Sequence, residues 1–117
     1  MRRTITAAGA LACASLALAL PALGGMSATG VTVTAGKPAE FKFTLSKKSV
    51  TKGAVTFTVT NKGKLEHDFK IAGKKTVKLK PGKAATLKVT LKAGKAAYLC
   101  TLPGHAAGGM KGTLTVT

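Results

Sequence analysis

The sequence predicts an all-β fold, a sandwich of two facing sheets built from seven or eight strands. Three observations carry this expectation. Apolar and polar residues alternate in short runs, turn residues recur about every ten positions, and no segment after residue 30 sustains a helical period. Taken in order, Val31 and Val33 alternate with threonine, and Phe41, Phe43 and Leu45 alternate with Lys42 and Thr44. Val55, Phe57 and Val59 alternate with Thr56, Thr58 and Thr60. His67, Phe69 and Ile71 follow, then Val77 and Leu79, then Leu87, Val89 and Leu91. A segment around Tyr98 and Cys100 and a last run with Leu114 and Val116 complete the set. Turn pairs such as Lys52-Gly53, Gly63 after Asn61-Lys62, Pro81-Gly82 and Ala93-Gly94 separate them. Residues 46–50 have room for one helical turn. A strand with one apolar face is covered on one side, so two sheets must pack against each other.

The chain of 117 residues has room for one domain. Arg2 and Arg3 precede a nearly unbroken apolar run from Ala7 to Leu23, the pattern of an export signal over 1–24. Ala22 and Gly24 supply small residues at the positions a signal peptidase reads, which places cleavage after Gly24. An uncleaved membrane anchor is the alternative, although the run is short for a span and Pro21 falls near its end. Residues 25–30 read as a flexible mature N-terminus and 31–117 as the folded domain. The protein is therefore expected outside the cytoplasm: periplasmic, at the cell surface or secreted.

Removal of the leader also removes Cys13, leaving Cys100 as the one cysteine. A lone thiol in an oxidising compartment is a liability unless it is buried or bound to something. The mature part holds seventeen lysines, no arginine and only Glu40, Glu66 and Asp68 as acids, a net +14 with histidine neutral. The lysines are spread over alternate strand positions and turns, as on a solvated outer face. The lack of arginine and tryptophan argues against nucleic-acid binding. An acidic protein partner fits this charge better.

The most informative segment is Cys100-Thr-Leu-Pro-Gly-His105-Ala-Ala-Gly-Gly-Met110. Three soft or borderline metal donors stand at five-residue intervals in a loop of Pro, Ala and Gly between two strands. His67 lies 33 residues before Cys100, on another strand. One thiolate, two imidazoles and a weak axial thioether form the donor set of an electron-transfer copper site. These four residues take up both histidines and the only cysteine of the mature domain, leaving Met26 as the one spare sulfur residue. Zinc is the alternative ion for imidazole and thiolate, and the thioether argues against it.

The pattern Asn61-Lys-Gly-Lys-Leu-Glu-His67-Asp-Phe, then Leu79-Lys-Pro81-Gly, then Tyr98-Leu-Cys100 through Met110-Lys-Gly resembles the cupredoxins, the blue copper proteins related to plastocyanin, azurin and auracyanin. The resemblance spans roughly residues 30–117 and implies a Greek-key sandwich with one copper ion held by His67, Cys100, His105 and Met110. It further implies that the backbone N–H of Asp68 donates to the Cys100 sulfur and that the Asp68 side chain holds the loop near Thr101. Asp68 stands where relatives often carry Asn, and a carboxylate accepts hydrogen bonds without donating them. The carbonyl of Glu66 is a further candidate on the axis opposite Met110. By the same resemblance His105 is the electron port, emerging among Leu102, Pro103, Gly104, Ala106 and Ala107.

The expected function is one-electron transfer by a monomeric, exported carrier cycling Cu(II) and Cu(I) between acidic redox partners, with no small-molecule substrate and no enzymatic turnover. Copper storage, delivery or protection without a dedicated redox partner is the alternative. A cationic binder of anionic polymers would make the donor set coincidental.

Overall fold

The computed structural model describes residues 29–117. The leader and anchor expectations for 1–24 fall outside the described residues. Nine strands are described: β1 (Thr29–Ala35), β2 (Phe43–Leu45), β3 (Ser49–Val50), β4 (Gly53–Asn61), β5 (Lys70–Ile71), β6 (Lys74–Lys75), β7 (Ala84–Leu91), β8 (Gly94–Leu99) and β9 (Lys111–Val116). They form two sheets, ordered β2-β1-β4-β7 and β3-β9-β8-β5-β6. Pairing is antiparallel except between β1 and β4 and between β3 and β9. The chain is an all-β, two-sheet sandwich of the Greek-key kind.

Period-two patterning sets the register. Val55, Phe57 and Val59 of β4 face inward, and Val55 and Phe57 stand opposite Val89 and Leu87 of β7. On the other side, Val31 and Val33 of β1 stand opposite Phe57 and Val59. Ile71, Leu114 and Val116 answer from the second sheet, and all but Leu87 of these residues are buried. Each such side chain contributes about 1.5–3 kcal/mol when fully removed from water. Phe69 is the hub of an aromatic cluster, with ring centroids 5.3 Å from Phe43, 5.2 Å from Phe57 and 5.5 Å from Tyr98.

Several expectations about individual segments need correction. β1 begins at Thr29, because Thr29 and Gly30 already pair with Val55 and Thr56, so the boundary at residue 31 is two residues late. Ser46–Val50 makes no helical turn. Val50 is instead drawn in beside Val116, and Ser49–Val50 pairs with Thr115–Val116. Val77 is 72% exposed and belongs to no strand; Thr76 takes the inward position, where its Oγ1 accepts from Phe69 N at 3.2 Å. His67 lies outside the named strands, in a single antiparallel bridge to Leu79.

Candidate metal centre

The centre sits at the end of the sandwich where β4 finishes and where β8 leads into β9. Asn61, the last residue of β4, is fully buried and shapes the loop that delivers His67. Its Nδ2 donates to the carbonyls of Leu65 (2.8 Å) and Leu79 (2.7 Å), and its Oδ1 accepts from Gly63 N (2.8 Å). The bridge to Leu79 then holds His67 by two backbone bonds, of 3.1 and 2.8 Å. Cys100 follows the last residue of β8. The loop after it is wound by backbone bonds from His105 N to Leu102 O and from Met110 N to His105 O. Cys100 N closes it by donating to Met110 O at 3.1 Å. Gly109, at φ +113°, supplies the left-handed backbone that turns the chain back before Met110.

Three donor atoms converge here. His67 Nδ1 lies 3.2 Å from His105 Nδ1, and Cys100 Sγ lies 3.5 Å from His105 Nδ1. The donors of all three residues fall within 4.8 Å of one another. Metal bonds of about 2.0 Å to nitrogen and 2.3 Å to sulfur, spread in a trigonal plane, require separations of about 3.5–3.7 Å. The two separations of 3.2 and 3.5 Å lie close to this range and the third stays within 4.8 Å, a spacing that fits one ion. Met110 is fully buried and shares a small apolar cluster with Cys100 and Ala35, flanked by Phe43 and Leu102.

Burial pushes the Cys100 thiol up, with the backbone N–H of Asp68 working against it. Burial also pushes His105 down, assisted by the neighbouring His67. Without metal the site therefore favours a neutral thiol and a neutral imidazole, and binding a cation displaces the thiol proton.

Around the donors, Asp68 N donates to Cys100 Sγ at 3.5 Å. The Asp68 carboxylate accepts from Thr101 N at 2.6 Å and from the Thr101 hydroxyl. Both of its partners are donors, so an acceptor-only carboxylate is well suited to this position. Glu66 is exposed beside His67 in the chain.

Sequence reasoning missed Glu40. Its carboxylate lies 2.5 Å from His67 Nε2 and accepts from Lys64 N at 2.8 and 3.1 Å and from Leu65 N at 3.1 Å. These bonds, chiefly the one from Lys64 N, hold its acid down to about 2 against the opposing effect of burial. The available signal was scarcity: Glu40 is one of only three acids in a sequence with seventeen lysines.

His105 is half-buried, whereas His67, Cys100 and Met110 are buried. Pro103, Gly104 and Ala107 beside it are exposed, and Leu102 and Ala106 are half-buried. Phe41 also belongs here. It lies outside the strand expected for it, 36% exposed, with its ring centroid 4.9 Å from that of His105.

The family of copper binding proteins, plastocyanin/azurin family, matches residues 29–117. No curated protein matches the chain. Among solved structures the chain is similar to auracyanin B, with 24% identity and a TM-score of 0.68 over 77% of this chain and 89% of that one. It is similar to auracyanin A, a "blue" copper protein from the green thermophilic photosynthetic bacterium Chloroflexus aurantiacus, with 18% identity and a TM-score of 0.66 over 78% and 100%. It is similar also to rusticyanin from Thiobacillus ferrooxidans, with 25% identity and a TM-score of 0.65 over 75% and 76%.

Proposed function

Since the chain belongs to the plastocyanin/azurin family of copper binding proteins, we propose that it is an exported one-electron carrier with a single copper ion held by His67, Cys100, His105 and Met110. The observation that carries this reading is the meeting of two imidazole nitrogens and one thiol sulfur at the spacing of one ion. The thioether of Met110, buried against the same cysteine, completes the soft donor set. Copper bound there supplies a Cu(II)/Cu(I) couple.

The protein's part is to keep the donors still. His67 is fixed by its bridge to Leu79, and its loop by Asn61. Cys100 is fixed by Asp68 N and by the bond from its own N–H to Met110 O. Donors that cannot move give little rearrangement when the charge at the centre changes. Four protein donors leave no open position for a substrate, which favours a carrier over an enzyme. His105, the one half-buried donor, offers a route for the electron through the patch of Leu102, Pro103, Gly104, Ala106, Ala107 and Phe41.

The lysine-rich surface suits acidic redox partners. Among the described residues no lysine is held in an ion pair, so this charge faces the solvent. The leader over 1–24 and the single cysteine left after it fit work outside the cytoplasm.

The test is an absorption spectrum of the oxidised, copper-loaded protein. An intense visible thiolate-to-copper charge-transfer band is expected, and it should vanish in Cys100→Ser. A folded, copper-loaded protein without that band would end the blue-copper reading.

A further inference from the structure

We propose that Glu40 is the positioning residue of this centre: it locks the tautomer of His67 and biases the ion toward its higher charge. The proposal rests on the copper reading above for its redox half and on geometry alone for its tautomer half.

His67 is fully buried, so no bulk water reaches its ring. Its Nε2 points at Glu40 Oε2, 2.5 Å away. That carboxylate already accepts from the backbone N–H groups of Lys64 and Leu65, and an ionised carboxylate has no hydrogen to give. The proton between them therefore sits on Nε2, and the Nδ1 lone pair is left facing His105 Nδ1 and Cys100 Sγ. A ring held in the other tautomer could not ligate through Nδ1. Outer carboxylates that fix a ligating imidazole in this way also raise its basicity.

The backbone is shaped for this contact. Glu40 lies in the loop joining β1 to β2, and Gly63 in the loop after β4. A Cβ on Gly63 would meet the Glu40 carboxylate and would stand 2.9 Å from His67 Nε2. A Cβ on Gly36 would stand 2.5 Å from Gly63 Cα. Two glycines thus face each other, so the two loops approach closely enough for the side chain of one to hold the ligand that follows the other.

The charge has its own consequence. Glu40 places a negative charge one imidazole away from the ion. The Asp68 carboxylate, buried next to Thr101, is a second negative charge near the centre, so the contribution of Glu40 is the difference that its own substitution reads. Glu40 stabilises Cu(II) over Cu(I) and lowers the potential.

The experiment compares the wild type with Glu40→Gln and Glu40→Ala. Gln keeps an acceptor oxygen without the charge; Ala removes both. Nitrogen-15 NMR of the metal-free proteins reads the His67 tautomer. The Nε2–H form is expected in the wild type and in Glu40→Gln, and a mixture in Glu40→Ala. Spectroelectrochemistry of the copper-loaded proteins reads the charge. Glu40→Gln should weaken Cu(II) about tenfold relative to Cu(I), a rise of about 59 mV for one electron. An unchanged tautomer in a folded Glu40→Ala overturns the positioning role. An unmoved potential in Glu40→Gln with the visible band intact overturns the charge role while leaving the copper reading standing. Loss of the band from the wild type itself would count against the copper reading and leave the tautomer result to stand alone.

Discussion

Asp68 accepts two hydrogen bonds from Thr101, one from its backbone N–H at 2.6 Å and one from its hydroxyl. Asp68 is buried, and its own N–H donates to Cys100 Sγ. A single residue thus binds the cysteine and the residue after it, tying the start of the ligand loop to the segment that carries His67. Asp68→Ala strands the Thr101 N–H in a partly buried setting and should lower stability by about 1–3 kcal/mol. Asp68→Asn keeps one acceptor oxygen, and the Thr101 hydroxyl can turn to accept from the new amide, so it should cost less than half as much. Urea denaturation of the metal-free proteins checks the order. Equal losses for the two variants would mean that the carboxylate acts by its charge alone.

Met110 separates packing from ligation. It is fully buried against Cys100 and Ala35. Met110→Leu conserves volume and should cost under about 1.5 kcal/mol, whereas Met110→Ala opens a cavity and should cost about 2–5 kcal/mol. If the thioether is the axial donor, Met110→Leu also raises the reduction potential, because a lost donor is missed more by Cu(II) than by Cu(I). Calorimetry on the metal-free variants and voltammetry on the loaded ones give the two readouts. An unchanged potential in Met110→Leu would remove Met110 from the coordination sphere.

The cluster of His67, Cys100 and His105 was legible because its chemistry is rare and the Cys–His spacing short. Cys100, His105 and Met110 stand on one loop, and an alternating pattern closes a sandwich around any such loop. The contact between Glu40 and His67 spans 27 residues and depends on two loops meeting at Gly36 and Gly63, which no local pattern encodes. Asn61 read as a turn residue, and only the folded chain shows its amide reaching Leu79. Val77 misled because its apolar side chain suited a strand, while Thr76 could use the inward position by bonding to Phe69.

Phe69 links the core to the centre. It follows Asp68 directly, is fully buried, and meets Phe43, Phe57 and Tyr98 at centroid distances of 5.2 to 5.5 Å. Phe69→Ala should cost about 3–5 kcal/mol, and Phe69→Leu clearly less. Because Asp68 and His67 precede Phe69 in the chain, Phe69→Ala should also broaden the NMR resonances of Cys100 and Thr101. A large stability loss with those resonances unperturbed would show that the core and the centre are uncoupled.

The lysine field should govern encounter, and the described acids do little to offset it. Glu40 and Asp68 stand at the centre and Glu66 is exposed, three acids against seventeen lysines. Lys42 lies against the ligand loop, its Nζ 3.2 Å from where a Cβ on Gly109 would stand. Lys92 follows β7 at the far end of the sandwich, since Leu91 pairs with Gly53 at the start of β4 and the centre lies beyond Asn61 at its finish. Oxidation of the reduced copper protein by hexacyanoferrate(III), an anion, should slow roughly tenfold as the screening length falls from about 30 Å at 0.01 M salt to about 8 Å at 0.15 M. A cationic cobalt oxidant should instead speed up over the same range. Lys42→Glu should reduce the anionic rate several-fold more than Lys92→Glu, because only Lys42 stands beside the loop of His105. Stopped-flow traces at matched pH give all of these rates. Identical salt slopes for the two oxidants, or equal effects of the two substitutions, would exclude steering through the His105 end.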